Sequence, residues 1–199
     1  MSTFAPNPHG HSDQPVTVGI AHQTLPPFGH IRSRMRSRLP ERLLPTEQVP
    51  KLLAENARRL VAITSGATPA QLQTTPAADG WSANDVLAHM RSCADVWGGC
   101  IATIIAEERP TLRAVNPRTW IKSTKYPELH FRESLNAFVS QRAELLAVLD
   151  QLPPKGWSRK ATVTGAGSVL VRSAHFYAQW LARHERTHVK QIERIVNAR

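Results

Sequence analysis

From Ser168 to Val196 an apolar residue recurs every three or four positions, and at two of those positions the residue is histidine. The face reads Tyr177, Leu181, His184, His188, Ile192 and Ile195, the period of a helix with one side turned to a core. Positions four apart differ by roughly 40° around a helix and about 6 Å along it. His184 and His188 therefore stand side by side and aim inward. Two imidazoles buried together are costly unless they share a partner, and this is a common way for one helix to offer two metal ligands. The chain must then supply further helices to close over that face.

Three earlier segments meet the requirement. The first helix is expected over Glu47–Thr64, with Pro50 in its first turn, where a missing N–H costs little, and with Leu53, Ala57, Leu60 and Thr64 on one face. The second has the clearest start in the chain. Ser82 and Asp85 form a capping box, and Trp81 and Val86 occupy the positions of a hydrophobic staple. It is expected to run to Glu108, where Arg109-Pro110 stops it. The third spans Pro127–Leu152 and ends at Pro153-Pro154. Connections at 109–126 and 153–168 are long, and Thr162–Thr164 is at most briefly extended. Four helices without a convincing sheet predict an all-α four-helix bundle over 45–199.

Residues 1–44 differ in character. They hold Pro6, Pro8, Pro15, Pro26, Pro27 and Pro40, four irregularly spaced histidines and few large apolar residues. Such a segment buries too little surface to offset its ordering entropy, which predicts a flexible or loosely packed N-terminal extension. The alternating Arg32, Arg34, Arg36 and Arg38 read as a solvated basic linker.

Composition narrows the function classes. With 25 Lys and Arg against 15 Asp and Glu, the 199-residue chain carries a formal charge of +10, which favours acidic partners. The basic residues are mixed with acids and form no stripe interleaved with aromatics, so nucleic-acid binding is not expected. No apolar run reaches the length of a membrane span, and no secretory h-region is present. Two cysteines, Cys93 and Cys100, do not make a disulfide framework. A cytoplasmic setting is expected.

His89 lies in the second helix among Val86, Met90 and Cys93, where a facing helix can bring it to the His184–His188 pair. Neutral imidazole suits zinc, nickel, copper and iron. Three such ligands leave the metal's charge uncompensated, which lowers the pKa of a bound water or thiol and polarises a carbonyl. His184-Glu185-Arg186-Thr187-His188 also spells H-E-x-x-H, in which the glutamate is a protease base. Only 11 residues follow His188, and position 194, where a third ligand would stand, is Arg. Glu185 is thus expected on the helix surface or behind the ligands. Cys93, four residues after His89 on the same face, is in reach of the metal or a substrate but reads first as a small buried hydrophobe, and Cys100 reads as core. His175 reads as peripheral and His130 as a surface residue. Arg118, Lys122, Arg172 and Arg183 read equally as holders of carboxylates and as solvated surface cations.

Gly80-Trp81-Ser82-Ala83-Asn84-Asp85-Val86-Leu87-Ala88-His89-Met90 resembles the W-S-x-x-x-V-L-x-H-L segment of the DinB-like metalloenzyme superfamily, and Trp180–Arg194, with His184, His188, Gln191 and Ile192, resembles its closing H-x-x-x-H-x-x-Q-I helix. Thr68–Leu72 and Pro76 resemble its lead-in to the second helix, so the likeness covers residues 48–197. It implies an up-down-down-up bundle, a homodimer, and His89, His184 and His188 as ligands of one divalent metal: nickel, zinc or iron. It further implies a small-molecule substrate and, in some relatives, a low-molecular-weight thiol. The expected function is a metal-dependent thiol S-transferase or hydrolase. The rivals are a non-catalytic metal-binding or stress-related interaction protein and a basic DNA-associated protein. Because residues 1–40 lie outside the resemblance, their deletion should leave metal content unchanged; a truncated protein that holds no metal would make the extension part of the site.

Overall fold

The computed structural model describes residues 43–76 and 80–198. Its elements in chain order are α1 (Gln48–Thr64), α2 (Pro69–Gln73), α3 (Ala83–Ala106), β1 (Thr111–Arg113), α4 (Pro117–Trp120), 3-10 turns at Ile121–Ser123 and Tyr126–Glu128, α5 (Phe131–Asp150), α6 (Pro154–Trp157), β2 (Lys160–Thr164), β3 (Leu170–Ser173) and α7 (Ala174–Asn197). The expected extension over residues 1–44 falls almost wholly outside the described residues. At its end, the Leu44 amide donates to Gln179 Oε1 on α7. None of the described helices is long and apolar enough to cross a membrane.

The four long helices, α1, α3, α5 and α7, form the bundle. Each start follows from local chemistry. Ser82 accepts from the Asp85 amide while the Asp85 carboxylate accepts from Ser82 N at 2.9 Å, which closes the capping box of α3. Thr68 and Gln71 do the same for α2. Ser173 Oγ caps α7 by accepting from Phe176 N at 3.1 Å.

The direction of each helix can be read from its end contacts. Arg132, in the first turn of α5, donates to the carbonyls of Thr64, Ser65 and Ala67 at the end of α1. Asn84, in the first turn of α3, donates to the Pro127 and Leu129 carbonyls just before α5. The ends of α1 and the starts of α3 and α5 therefore share one pole. At the other pole, Arg159, which follows α5, donates to the Ile104 and Glu107 carbonyls at the end of α3. Ala174 N, opening α7, donates to Arg159 O. This is the up-down-down-up order.

That second pole carries a three-stranded sheet in the order β1-β2-β3, with β1 parallel and β3 antiparallel to β2. The expectation of no sheet is corrected here, and so is the start of the last helix: Leu170–Ser173 is strand, and α7 begins at Ala174 rather than Ser168. The physical reason lies in the segment itself. Ala161 and Val163 alternate inward along β2, and Gly165 and Gly167 take φ of 80° and 90° in the turn, a region open to glycine at no steric cost. Because the third and fourth helices need a reversal at this pole, a hairpin provides it and β1 extends it by one strand.

Two apolar clusters fill the bundle. One, at the sheet pole, includes Leu53, Ile101, Ile104, Leu149, Trp157 and Leu181. The other, at the opposite pole, includes Leu60, Val86, Leu87, Phe138, Val189 and Ile192. Between the helices lies a buried ion pair. Arg142 on α5 is 1 % exposed and Glu185 on α7 is 0 % exposed, and Arg142 Nη2 donates to Glu185 Oε1. Glu185 was expected at the helix surface or behind the ligands; the surface placement is corrected. One residue past His184 turns the side chain by about 100°, which takes Glu185 off the histidine face and toward α5. The pair is only partly satisfied, since Arg142 Nε and Nη1 and Glu185 Oε2 have no partner. Burial pushes the Glu185 carboxyl up to about 7 against the pull of Arg142.

Breaking a buried pair leaves an uncompensated group, whereas replacing both partners with apolar residues is often neutral. Arg142→Met alone should therefore destabilise the metal-free protein by about 3–5 kcal/mol in urea unfolding. Adding Glu185→Leu should recover most of the loss, and a double variant no more stable than the single would refute this account of the pair.

Candidate metal centre

Two helices build the centre. His89 sits in the second turn of α3 and is 6 % exposed; His184 and His188 stand one turn apart on α7 and are partly buried. The structure brings all three expected residues together. Ring centroids lie 5.2 Å apart for His89–His184, 5.0 Å for His89–His188 and 4.4 Å for His184–His188. His188 Nε2 and His184 Nε2 are 3.2 Å apart. Ligand nitrogens about 2.0–2.1 Å from a tetrahedral zinc stand roughly 3.3 Å from one another, so the spacing suits a shared cation.

The hydrogen bonding points the same way. His188 Nδ1 lies 2.8 Å from Gln191 Oε1. A carbonyl oxygen there only accepts, so Nδ1 carries the proton and Nε2 is left with its lone pair toward His184. This is the outer contact that orients a ligating histidine. His184 Nδ1 is buried without a partner. Three clustered neutral imidazoles fit a divalent metal, which needs neutral nitrogen donors.

Two tryptophans wall the site. Trp81, the staple residue before α3, meets His89 edge-on at 5.2 Å, and Trp97, two turns along α3, meets His184 at 4.9 Å. The segment between α3 and α5 closes a further side. Ser92 Oγ donates to Pro117 O at 2.7 Å. Asp95 accepts from Trp120 Nε1 at 3.3 Å, Tyr126 Oη at 2.8 Å and Gln141 Nε2 at 2.6 Å. These bonds fix α4 over α3, and with it Arg118.

A model of the DinB superfamily matches residues 52–192. The chain belongs to the DinB superfamily. None of the curated proteins matches it. Among solved structures it is similar to YfiT from Bacillus subtilis, described as a probable metal-dependent hydrolase with an unusual four-helix bundle topology. The two share 18 % identity over 75 % of this chain and 86 % of that one, with a TM-score of 0.60. That similarity supports the fold.

The DinB-type bundle places other residues as follows. His130 is exposed at the start of α5. His175 packs against Trp157 at 5.7 Å, away from the centre. Cys100 is partly buried near Tyr177. Cys93 is fully buried, as a small hydrophobe would be, but its Sγ also reaches to 3.5 Å from His89 Nε2. One donor atom each from His89, Cys93 and His184 lie within 4.8 Å of one another. The i, i+4 spacing to His89 was the signal for this approach.

Burial dominates the electrostatics. Desolvation first, then the neighbouring histidines and Arg118, hold His89 down to about 4 and His184 to about 3. His188 is lowered as well, chiefly by burial. The Cys93 thiol is pushed far up by burial, and next by Glu185. The site is thus three neutral imidazoles beside a protonated thiol.

A lowered pKa means that the unfolded chain takes up protons first as pH falls, so stability that is full above about 6.5 drains away toward the folded-state values. Glu185, with its raised carboxyl, acts in the opposite sense and is common to both proteins compared. The metal-free wild type should lose stability relative to a His89→Leu/His184→Leu variant as pH falls from about 6.5 to about 4. Thermal melts showing a constant difference over that range would contradict it.

Proposed function

We propose that this chain is a metal-dependent enzyme in which His89, His184 and His188 hold one divalent transition metal (nickel, zinc or iron) and which acts on a small-molecule substrate as a hydrolase or thiol S-transferase. The observation that carries the reading is the convergence of three neutral imidazoles from α3 and α7, with the Nε2 atoms of His184 and His188 3.2 Å apart, the His89 ring centroid 5.2 Å and 5.0 Å from theirs, and His188 oriented by Gln191. Membership of the DinB superfamily and the fold shared with YfiT, described as a probable metal-dependent hydrolase, support it. The family resemblance further supports a homodimer, a cytoplasmic setting, and residues 1–44 as an extension to the bundle of 45–199.

When bound, such a metal supplies Lewis acidity, lowering the pKa of a water or thiol and polarising a carbonyl. The chain's own residues do the rest. Gln191 holds His188 in the tautomer that presents Nε2. Trp81 and Trp97 exclude water from two sides, which strengthens every charge interaction within. Glu185, tied to Arg142 in the core, is not placed to act as the base of an H-E-x-x-H protease.

One observation favours a second reading. Cys93 Sγ at 3.5 Å from His89 Nε2 could complete a closed site, the mark of a structural rather than a catalytic metal. We favour the open site, because Gln191 orients His188 as an outer partner orients a ligating histidine, which leaves Cys93 unneeded as a third ligand.

Elemental analysis tests the assignment. Wild type should carry about one transition metal per chain, as one centre requires, and His188→Ala should lose it while its circular dichroism stays helical. Unchanged metal content in the variant would sink the triad. Cobalt loading separates the two readings: a spectrum free of a thiolate-to-cobalt charge-transfer band, and the same in Cys93→Ser, is expected for the open site, whereas a band lost in Cys93→Ser would establish the closed one.

A further inference from the structure

Beside the centre lies a cavity of about 230 Å³ lined by Trp81, Asp85, His89, Arg118, Ile121 and Pro127. Its walls are apolar except at three places. His89 opens it to the metal centre. Asp85 is committed to the start of α3, its Oδ2 accepting from Ser82 N at 2.9 Å and Ser82 Oγ at 2.6 Å. Arg118 remains. Its guanidinium carbon lies 5.7 Å from the Trp81 ring, the same ring that meets His89 at 5.2 Å. No salt bridge engages Arg118 among the described residues, where the ion pairs are Arg59–Glu193 and Arg142–Glu185.

The position is built rather than incidental. Arg118 sits in the first turn of α4, where its amide donates to Asn116 Oδ1 at 3.0 Å. The turn is bound to α3 one helical turn beyond His89 through Ser92 and Pro117. Arg118 is exposed at the rim of the cavity and forms no salt bridge with Asp85 in the same wall, so its guanidinium is open to an anionic ligand that enters.

We infer that Arg118 is the anchor for a carboxylate on the substrate, so that the small molecule acted on is a carboxylate-bearing compound with a short apolar body. This rests on the proposed function for the reaction, but not for the binding. A guanidinium presents a planar fork that matches a carboxylate bidentately, and the Trp81 ring, 5.7 Å from it, lies within cation–π range. Ile121, Pro127 and Trp81 would cover the apolar body, while the reacting end faces His89. The same chemistry would serve a carboxylate of a thiol co-substrate.

Calorimetric titration with benzoate, and with benzamide as its uncharged counterpart, tests the inference on wild type, Arg118→Gln and Arg118→Lys, each as purified and after chelation. Benzoate should bind wild type at least about tenfold more tightly than Arg118→Gln, in line with a charge-assisted contact, and Arg118→Lys should fall between. The difference should persist in the chelated proteins, and benzamide should not distinguish the variants. Metal content should be equal in all three. Equal benzoate affinity in wild type and Arg118→Gln, or no benzoate binding by wild type, would overturn the inference. Benzoate binding that vanishes on chelation in every variant would place the carboxylate on the metal and equally overturn it. Absence of metal from wild type, with the Arg118 dependence intact, would instead count against the proposed function alone. If benzoate binds as expected, glutathione against its diethyl ester then separates the two sources: discrimination by Arg118 there assigns the anchor to the thiol co-substrate and overturns its assignment to the substrate.

Discussion

Three imidazoles crowd together in this bundle, and burial favours their uncharged forms. Most of the surrounding structure serves that condition. The rings must come from two helices, because one helix face offers only two at adjacent turns. α3 and α7 must therefore pack with His89 level with the gap between His184 and His188. The apolar clusters at the two poles set the height of α7 against its neighbours. Its rotation is set by polar contacts that admit no slippage: Asn56 donates to Ala182 O at 2.8 Å from α1, and Glu185 meets Arg142 from α5. Buried ionic groups are weak sources of stability, but a pair flanking the histidine face is well placed to specify one rotation of α7 over another.

The same condition explains the long connection between α3 and α5. Parallel neighbours need a chain segment that travels the length of the bundle, and here that segment has been put to use. Asp95 gathers Trp120, Tyr126 and Gln141 onto one carboxylate, while Arg91 lies 3.8 Å above the Tyr126 ring. The connection is thereby pinned across the turn of α3 that follows His89. Loops carry function when a rigid scaffold positions them, and Arg118 is the charged residue this loop delivers beside the centre.

Much of this was legible in the sequence, for local reasons. The capping box at Ser82 and Asp85 fixed the start of α3 and hence the depth of His89. The i, i+4 pair on α7 declared its own geometry. What stayed hidden depended on partners far along the chain. An arginine in an amphipathic helix reads as solvent-facing, and nothing near Arg142 announces a carboxylate 43 residues on. The sheet was a different failure. The alternation at Ala161 and Val163 and the turn glycines were present, but strands of three to five residues fall below the span over which periodicity separates strand from loop.

Glu185 shows why a motif needs its fold. In H-E-x-x-H the two histidines face a metal and the glutamate faces the same cleft. Here the string is intact, yet the helix bearing it is packed against neighbouring helices of a bundle. The residue after His184 is about 100° away around the axis, and in a bundle that direction leads to another helix rather than to open solvent. The carboxylate accordingly meets Arg142 and contributes to packing. The general acid or base of any reaction at this centre must come from elsewhere. Within the described site, Arg118 and the aromatic walls border the approach to the three imidazoles.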